Sequence, residues 1–188
     1  MKKEIITIAG TAGSGKSSTA NLVAQKLGFK RFSSGDFMRK IALELNMSLD
    51  ELSTKAETDS SIDEKIDAEV KKAGENTKLV IDSRLAFHWI PDSFKVFLDL
   101  SPEIAKNRIL SDLKTNTLRK QSEDASSPEE IYKKITDRLE SEKKRYMQLY
   151  NIDYTDKNNY DLVINTDINN LEEVANIVVT GYKNWLEK

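Results

Sequence analysis

The sequence predicts an α/β fold, a five-stranded parallel sheet covered by helices. Three observations predict it. Short apolar runs alternate with longer amphipathic stretches along the chain. The first apolar run passes through a glycine-rich loop directly into a helical pattern. Helix starts are marked by capping serines followed by proline, and no internal repeat interrupts the alternation.

Taken in order, Glu4–Ala9 reads as a buried strand, and Lys16–Leu27 as a helix that stops at Gly28. Lys30–Ser33 is a weak second strand, and Lys78–Ile81 is a third. Phe94–Leu98 is a fourth and Tyr160–Ile164 a fifth. Residues 37–74 look helical, rich in acids and hydroxyls, and fall between two strands as an insertion. Ser101-Pro102-Glu103 and Ser127-Pro128-Glu129-Glu130 each place a capping serine before a proline, the second with a capping-box glutamate. Between Leu113 and Ser127 the chain is polar and reads as a mobile surface loop. The last helix carries Leu171, Val174, Ala175 and Val178 at core-facing spacing.

Composition narrows the function classes. With 188 residues, 38% of them hydrophobic and 32% charged, the chain suits one compact domain and not a disordered segment. It has no cysteine, which excludes disulfides, cysteine metal sites and a cysteine nucleophile, and fits the reducing cytoplasm expected here. The apolar run that follows Met1-Lys2-Lys3-Glu4 ends at Gly10, too short for a signal-peptide core, and no run is long enough to span a bilayer. The net charge of −2, from 29 basic and 31 acidic residues, makes nucleic acid a poor partner. A monomer acting on small molecules is expected, with neither a membrane nor a nucleic-acid partner.

The loop Gly10-Thr11-Ala12-Gly13-Ser14-Gly15-Lys16-Ser17 matches the Walker A pattern, with a strand before it and a helix after it. Glycines let backbone amides wrap a phosphate, and the helix N-terminus points at negative oxygens. Lys16 supplies charge to the transferring phosphate, Ser17 a hydroxyl to magnesium, and Ser18 a further phosphate contact. A glycine-rich turn with an incidental lysine is the plain alternative. Three of the seven glycines in the chain fall in this loop, which suits a demand on the backbone. Such a loop implies a nucleotide but not a reaction.

Ser33-Ser34-Gly35-Asp36-Phe37-Met38-Arg39 and Asp82-Ser83-Arg84-Leu85-Ala86 follow two predicted strands, at the edge where open α/β sheets bind ligands. With the phosphate loop, Met47-Ser48-Leu49-Asp50-Glu51, Ile62-Asp63, Glu142-Lys143-Lys144-Arg145-Tyr146 and Tyr160-Asp161-Leu162-Val163-Ile164-Asn165-Thr166, they make the chain resemble the nucleoside monophosphate kinases, nearest the short cytidylate kinases of archaeal type. The resemblance implies a P-loop kinase three-layer fold with a five-stranded parallel sheet, a helical acceptor-binding insertion at about 37–74 and an arginine-bearing lid at about 113–127. It implies ATP and magnesium as cofactors, and CMP, with dCMP, as acceptor. By position, Ser34, Gly35, Asp36 and Arg39 line the monophosphate pocket, Arg84 holds the acceptor phosphate, and Asp82 supports magnesium through water. Arg108, Arg119, Arg138 and Arg145 are the candidates for the lid and the transferring phosphate. The chain departs from the family pattern at Ser83, where glycine is usual, and at Ala68-Glu69, where arginines are expected.

Plainer readings stand beside these. Asp82 could cap a turn, and Asp99 is a rival acid already explained by the helix start at Ser101-Pro102. Arg138 and Arg145, seven residues apart on one helix face, could be a solvated stripe, and Arg119 a loop side chain. His88, beside Phe87 and Trp89, reads as structural, and Trp89 and Trp185 as packing. Asp63, Glu64, Asp67 and Glu69 form a solvated face by default, with Asp63 the first choice for reading an exocyclic amine of a base. Another small-acceptor kinase, for adenylate, a nucleoside or a metabolite, remains an alternative, as does a nucleotide-binding regulator without catalysis. Under the kinase reading, Lys16→Ala is expected to abolish phosphoryl transfer with the fold intact. Near-normal turnover, with circular dichroism unchanged, would refute the assignment of the loop.

Overall fold

The computed structural model describes residues 2–115 and 127–188. Its five strands are β1 (Ile5–Gly10), β2 (Lys30–Ser33), β3 (Leu79–Asp82), β4 (Phe94–Asp99) and β5 (Leu162–Asn165). The helices are α1 (Lys16–Leu27), α2 (Ser34–Glu44), α3 (Leu49–Lys55), α4 (Ser61–Ala73), α5 (Ala86–Trp89), α6 (Pro102–Thr115), α7 (Pro128–Tyr150) and α8 (Leu171–Glu187). The expected strands are all present, each within two residues of its predicted bounds. The chain divides into two compact units. One comprises Met1–Ser34, Asp67–Leu100 and Tyr154–Lys188, the other Gly35–Ile66 and Ser101–Asp153.

The first unit holds the sheet, in order β2-β3-β1-β4-β5 with every pairing parallel. Alternation along β1 sends Ile6 and Ile8 to one face and Ile5 to the other. Ile6 and Ile8 pack with Val23 of α1, Val96 and Leu98 of β4, and Val174, Val178 and Tyr182 of α8. Ile5 packs with Leu79, Ile81, Val70, Ala86 and Ile90 on the opposite face. Helices thus cover both faces, as a fully parallel sheet requires. Each fully buried aliphatic side chain contributes about 1.5–3 kcal/mol. In α8 the core positions Val174, Ala175 and Val178 are buried as expected, but Leu171 is 46% exposed. Leu171 is the first residue of the helix, directly after the Asn170 cap, and the chain turns there before the apolar face reaches the sheet.

Both tryptophans pack at the edges of this unit. The Lys71 ammonium sits 3.6 Å from the Trp89 ring centre, and Trp185 stacks with Tyr182. His88 lies edge-on to Trp89, and burial, then Lys71, lowers its pKa.

The second unit is helical. Met38 and Ala42 of α2 pack with Leu49, Leu52, Ala56 and Ile62, so the 37–74 stretch is the expected run of helices, α2, α3 and α4. Capping boxes open α3 at Ser48 with Glu51 and α7 at Ser127 with Glu130, as the sequence indicates for Ser127. Helix α6 extends to Thr115, and the rest of the expected loop, 116–126, lies outside the described residues. Among the described residues no helix is long and apolar enough to cross a membrane.

Gly10 ends β1 with φ 145°, and a Cβ there would lie 2.5 Å from the Leu98 carbonyl oxygen. Gly28 closes α1 in the left-handed region, φ 67°, with open space around it. Gly10→Ala should therefore destabilise the protein by about 2 kcal/mol or more, and Gly28→Ala by about 1 kcal/mol. Urea-denaturation midpoints of the two variants test that order.

Candidate active site

The loop between β1 and α1 has the geometry of an anion cradle. Gly13 and Gly15 take positive φ, 77° and 83°, turning the backbone so that Lys16 begins α1. Gly15 stands at the N-cap without a side-chain cap, which leaves first-turn amides of α1 for a ligand. Lys16 Nζ donates to the Thr11 carbonyl at 2.7 Å, holding the ammonium across the loop. The Thr11 and Ser14 hydroxyl oxygens are buried without a hydrogen-bond partner, and Ser14 is 1% exposed. Buried polar atoms are seldom left so, and a phosphate in the cradle would satisfy them.

Parallel pairing sets Ile8 of β1 and Ser33 of β2 level with Asp82 of β3, so β2 and β3 end together at one carboxylate while β1 runs on to Gly10. Asp82 Oδ2 accepts from Ser17 Oγ at 2.5 Å, Ser33 Oγ at 3.1 Å and Arg31 Nη2 at 3.3 Å. Its carbonyl accepts from Ser34 Oγ at 3.3 Å. A buried carboxylate oxygen beside a serine hydroxyl is a hard-oxygen pair. It fits magnesium, which takes one or two carboxylates and completes its shell with phosphates and water. No group of three or more His, Cys, Asp or Glu among the described residues could hold a metal ion on protein ligands alone. The rival acid Asp99 is instead ion-paired with Lys157 at 2.6 Å and partly exposed. Ser83 donates its amide to the Ile8 carbonyl at 3.2 Å, and Arg84 follows it, half-buried. Ser18 is exposed on the first turn of α1.

In the second unit Gly35 and Asp36 lie in the first turn of α2, and Arg39 Nη1 donates to Asp36 Oδ1 at 3.2 Å. On α7, Arg138 Nε donates to Glu142 Oε1 at 2.9 Å. Arg145 is 4% exposed and engages Asp63 through Nε to Oδ2 at 2.9 Å and Nη2 to Oδ1 at 3.4 Å. Arg145 Nη1 adds the Ser53 carbonyl at 3.3 Å and Ser141 Oγ at 2.9 Å. Burial opposes the charge of Arg145, yet Asp63, Tyr146 and Glu142 together hold its pKa above the ordinary guanidinium value. Arg138, Ser141 and Ser53 help line a cavity of about 390 Å³ between α3 and α7. Ser53 is 6% exposed, and its hydroxyl has no hydrogen-bond partner. Arg108 is half-buried on α6, and Arg119 lies outside the described residues.

The sequence pattern of the cytidylate kinase-like family matches residues 5–168. The chain belongs to that family. Cytidylate kinase from Methanosphaera stadtmanae is 34% identical to it over 177 residues, 93% of this chain and 95% of that protein. The S-adenosylmethionine-dependent nucleotide dehydratase of Lacinutrix mariniflava is also 34% identical, over 96% of this chain but only 36% of its own length. Shikimate kinase from Bacteroides thetaiotaomicron shares the fold, with TM-score 0.63 at 15% identity over 98% of each chain. The cytidylate kinase-like family and its P-loop kinase fold are thus those the sequence motifs indicate.

The structure brings Ser17, Ser33 and Asp82 together, and separately Asp63 with Arg145. Both Asp63 oxygens are engaged by Arg145, an arrangement the acidic run in the sequence does not suggest. Three further side chains enter the picture. Arg31 shares the Ser33 face of β2, a signal available from strand alternation. Glu142 stands four residues after Arg138, at ion-pair spacing on a helix. Ser53 opens the acidic and hydroxyl-rich stretch, Ser53 to Asp67, that the sequence offers for reading a base amine, but nothing in that run marks its burial. Removing one partner of the buried Asp63–Arg145 pair leaves an uncompensated charge. Asp63→Ala should cost about 3–5 kcal/mol, and Asp99→Ala, at a partly exposed pair, less than about 1 kcal/mol. Chemical denaturation of both variants tests the contrast.

Proposed function

We propose that this protein is a cytidylate kinase, transferring the γ-phosphate of ATP to CMP, and to dCMP, to give ADP and the nucleoside diphosphate. The observation that carries this reading is a complete strand–glycine loop–helix phosphate cradle in a chain alike over nearly its full length to a cytidylate kinase. The nucleotide dehydratase reading has less support, because most of that protein lies outside the match.

In the proposed reaction the loop amides and Lys16 bind the ATP phosphates, with Lys16 leaving the Thr11 carbonyl for a phosphate oxygen. Ser17 and Asp82 would hold magnesium, which when bound neutralises charge on the β- and γ-phosphates. Ser34, Gly35, Asp36, Arg39 and Arg84 serve the acceptor phosphate. That phosphate already carries an ionised oxygen at neutral pH, so no histidine or general base is needed. Catalysis then consists of positioning and charge stabilisation. Arg138 is the arginine for the developing charge. Arg145, bound to Asp63, Ser53 and Ser141, positions α7 and through it Arg138. Arg108 and Arg119 remain candidates for contacts to ATP. Several arginines converging on the phosphate loop would favour an enzyme over a regulator, which needs fewer.

With the charge of Asp63 committed to Arg145, base reading passes to the cavity lined by Ser53. A buried hydroxyl without a partner discriminates between bases by whether it is satisfied. At fixed ATP and magnesium, kcat/KM for CMP should exceed that for UMP, AMP and GMP by about 100-fold or more. Ser53→Ala should narrow the CMP-to-UMP gap by about tenfold, without a matching change in KM for ATP. Faster transfer to AMP or to a non-nucleotide acceptor would overturn the acceptor assignment.

A further inference from the structure

Asp82 carries a charge in a nearly closed site, 4% exposed, and two of its three side-chain donors are neutral hydroxyls. The third is Arg31, whose Nη2 lies 3.3 Å from Oδ2. Arg31 reaches this position because it stands two residues before Ser33 on β2, and Ser33 pairs in register with Asp82. The Arg31 side chain is itself mostly buried, 20% exposed, so its charge is only partly screened by solvent.

We propose that Arg31 is a positioning residue that serves as the counter-charge of Asp82 and thereby sets the divalent-cation affinity of the nucleotide site. The inference rests on the proposed role of Asp82 and Ser17 toward magnesium. Before nucleotide arrives, Arg31 prevents Asp82 from standing as an uncompensated buried charge and fixes the carboxylate between β2 and β3. A divalent ion served by Asp82 must then settle beside a fixed positive charge, and that repulsion weakens its binding. The empty protein is thereby kept from holding the cation strongly by itself, and the phosphates of the nucleotide supply most of the attraction. The serines cannot do this, because a hydroxyl orients the carboxylate without balancing its charge.

The test counts bound Mn2+ by electron paramagnetic resonance on the whole protein saturated with ADP, with Mn2+ and ADP alone as the blank. Arg31→Met removes the charge and keeps the apolar stem. Arg31→Gln is a second neutral variant, should the first fold poorly, and Arg31→Lys keeps the charge. Both neutral variants should bind Mn2+ about threefold more tightly or better, and Arg31→Lys should stay near the wild-type value. Combined with Asp82→Asn, which should weaken binding by itself, Arg31→Met should lose most of its effect. Unchanged or weaker Mn2+ binding in the neutral variants, with Asp82→Asn still weakening it, overturns the role of Arg31 alone. Asp82→Asn binding Mn2+ as the wild type does overturns the metal assignment and this inference with it.

Discussion

A carboxylate cannot be buried at the edge of a sheet unless donors meet it there, and the first unit is arranged around that requirement. Asp82 receives a side chain from the phosphate-loop helix, through Ser17, and two from β2, through Ser33 and Arg31. Those donors converge because β2 and β3 end level with one another, beside Ile8 of β1, which runs on to Gly10 and the phosphate loop. The central position of β1 between β3 and β4 puts its loop at the point where the order of strands reverses, the usual crevice of an open α/β sheet. A slip of one residue in β2 would turn Ser33 and Arg31 to the opposite face together. Sheet register and site geometry are therefore a single constraint.

The second unit solves a similar problem without a sheet. Arg145 is almost fully buried, yet each of its guanidinium nitrogens has an oxygen partner drawn from α3, α4 or α7. One planar cation thus joins α3, α4 and α7, beside the apolar cluster that Leu49, Leu52 and Ile62 form with Met38 and Ala42 of α2. A lysine would not substitute for it, since three directions of hydrogen bonding are used at once. Arg138, two turns earlier on α7, is ion-paired with Glu142 of the same helix.

Much of this architecture was legible in the sequence. The bounds of α1 are those expected because a lysine after the glycine loop and a glycine at the C-terminus both carry strong backbone signals. β2 was only a weak signal, being short with two basic residues, yet its bounds are those expected. The capping box at Ser127 likewise announced α7. What the sequence concealed was pairing at a distance. Asp63 and Arg145 lie far apart in the chain, and neither a run of acids nor a helix face rich in lysine tells which acid faces which base. Arg31 stood beside a lysine on an edge strand, where positive charge is commonly only a guard against edge-to-edge pairing. Leu171 fitted the apolar period of α8 but lies in its first turn, where periodicity says nothing about how the chain enters the helix. Ser53 shows the same limit, since burial of an unpartnered hydroxyl is a property of the packed state alone.

The place of β1 has a consequence for the order in which the molecule is made. Its strand partners are β3, beginning at Leu79, and β4, beginning at Phe94, and Gly10 lies against Leu98 itself. A chain growing on the ribosome emits the phosphate loop before β3 and β4, so β1 has no strand partner until β3 is made and is not flanked on both sides until the polypeptide has passed Leu98. Closing so long a loop is slow compared with forming a local helix. The phosphate loop is thus made well before the strands that surround it, and a nascent chain truncated short of β3 carries the nucleotide motif without the cradle.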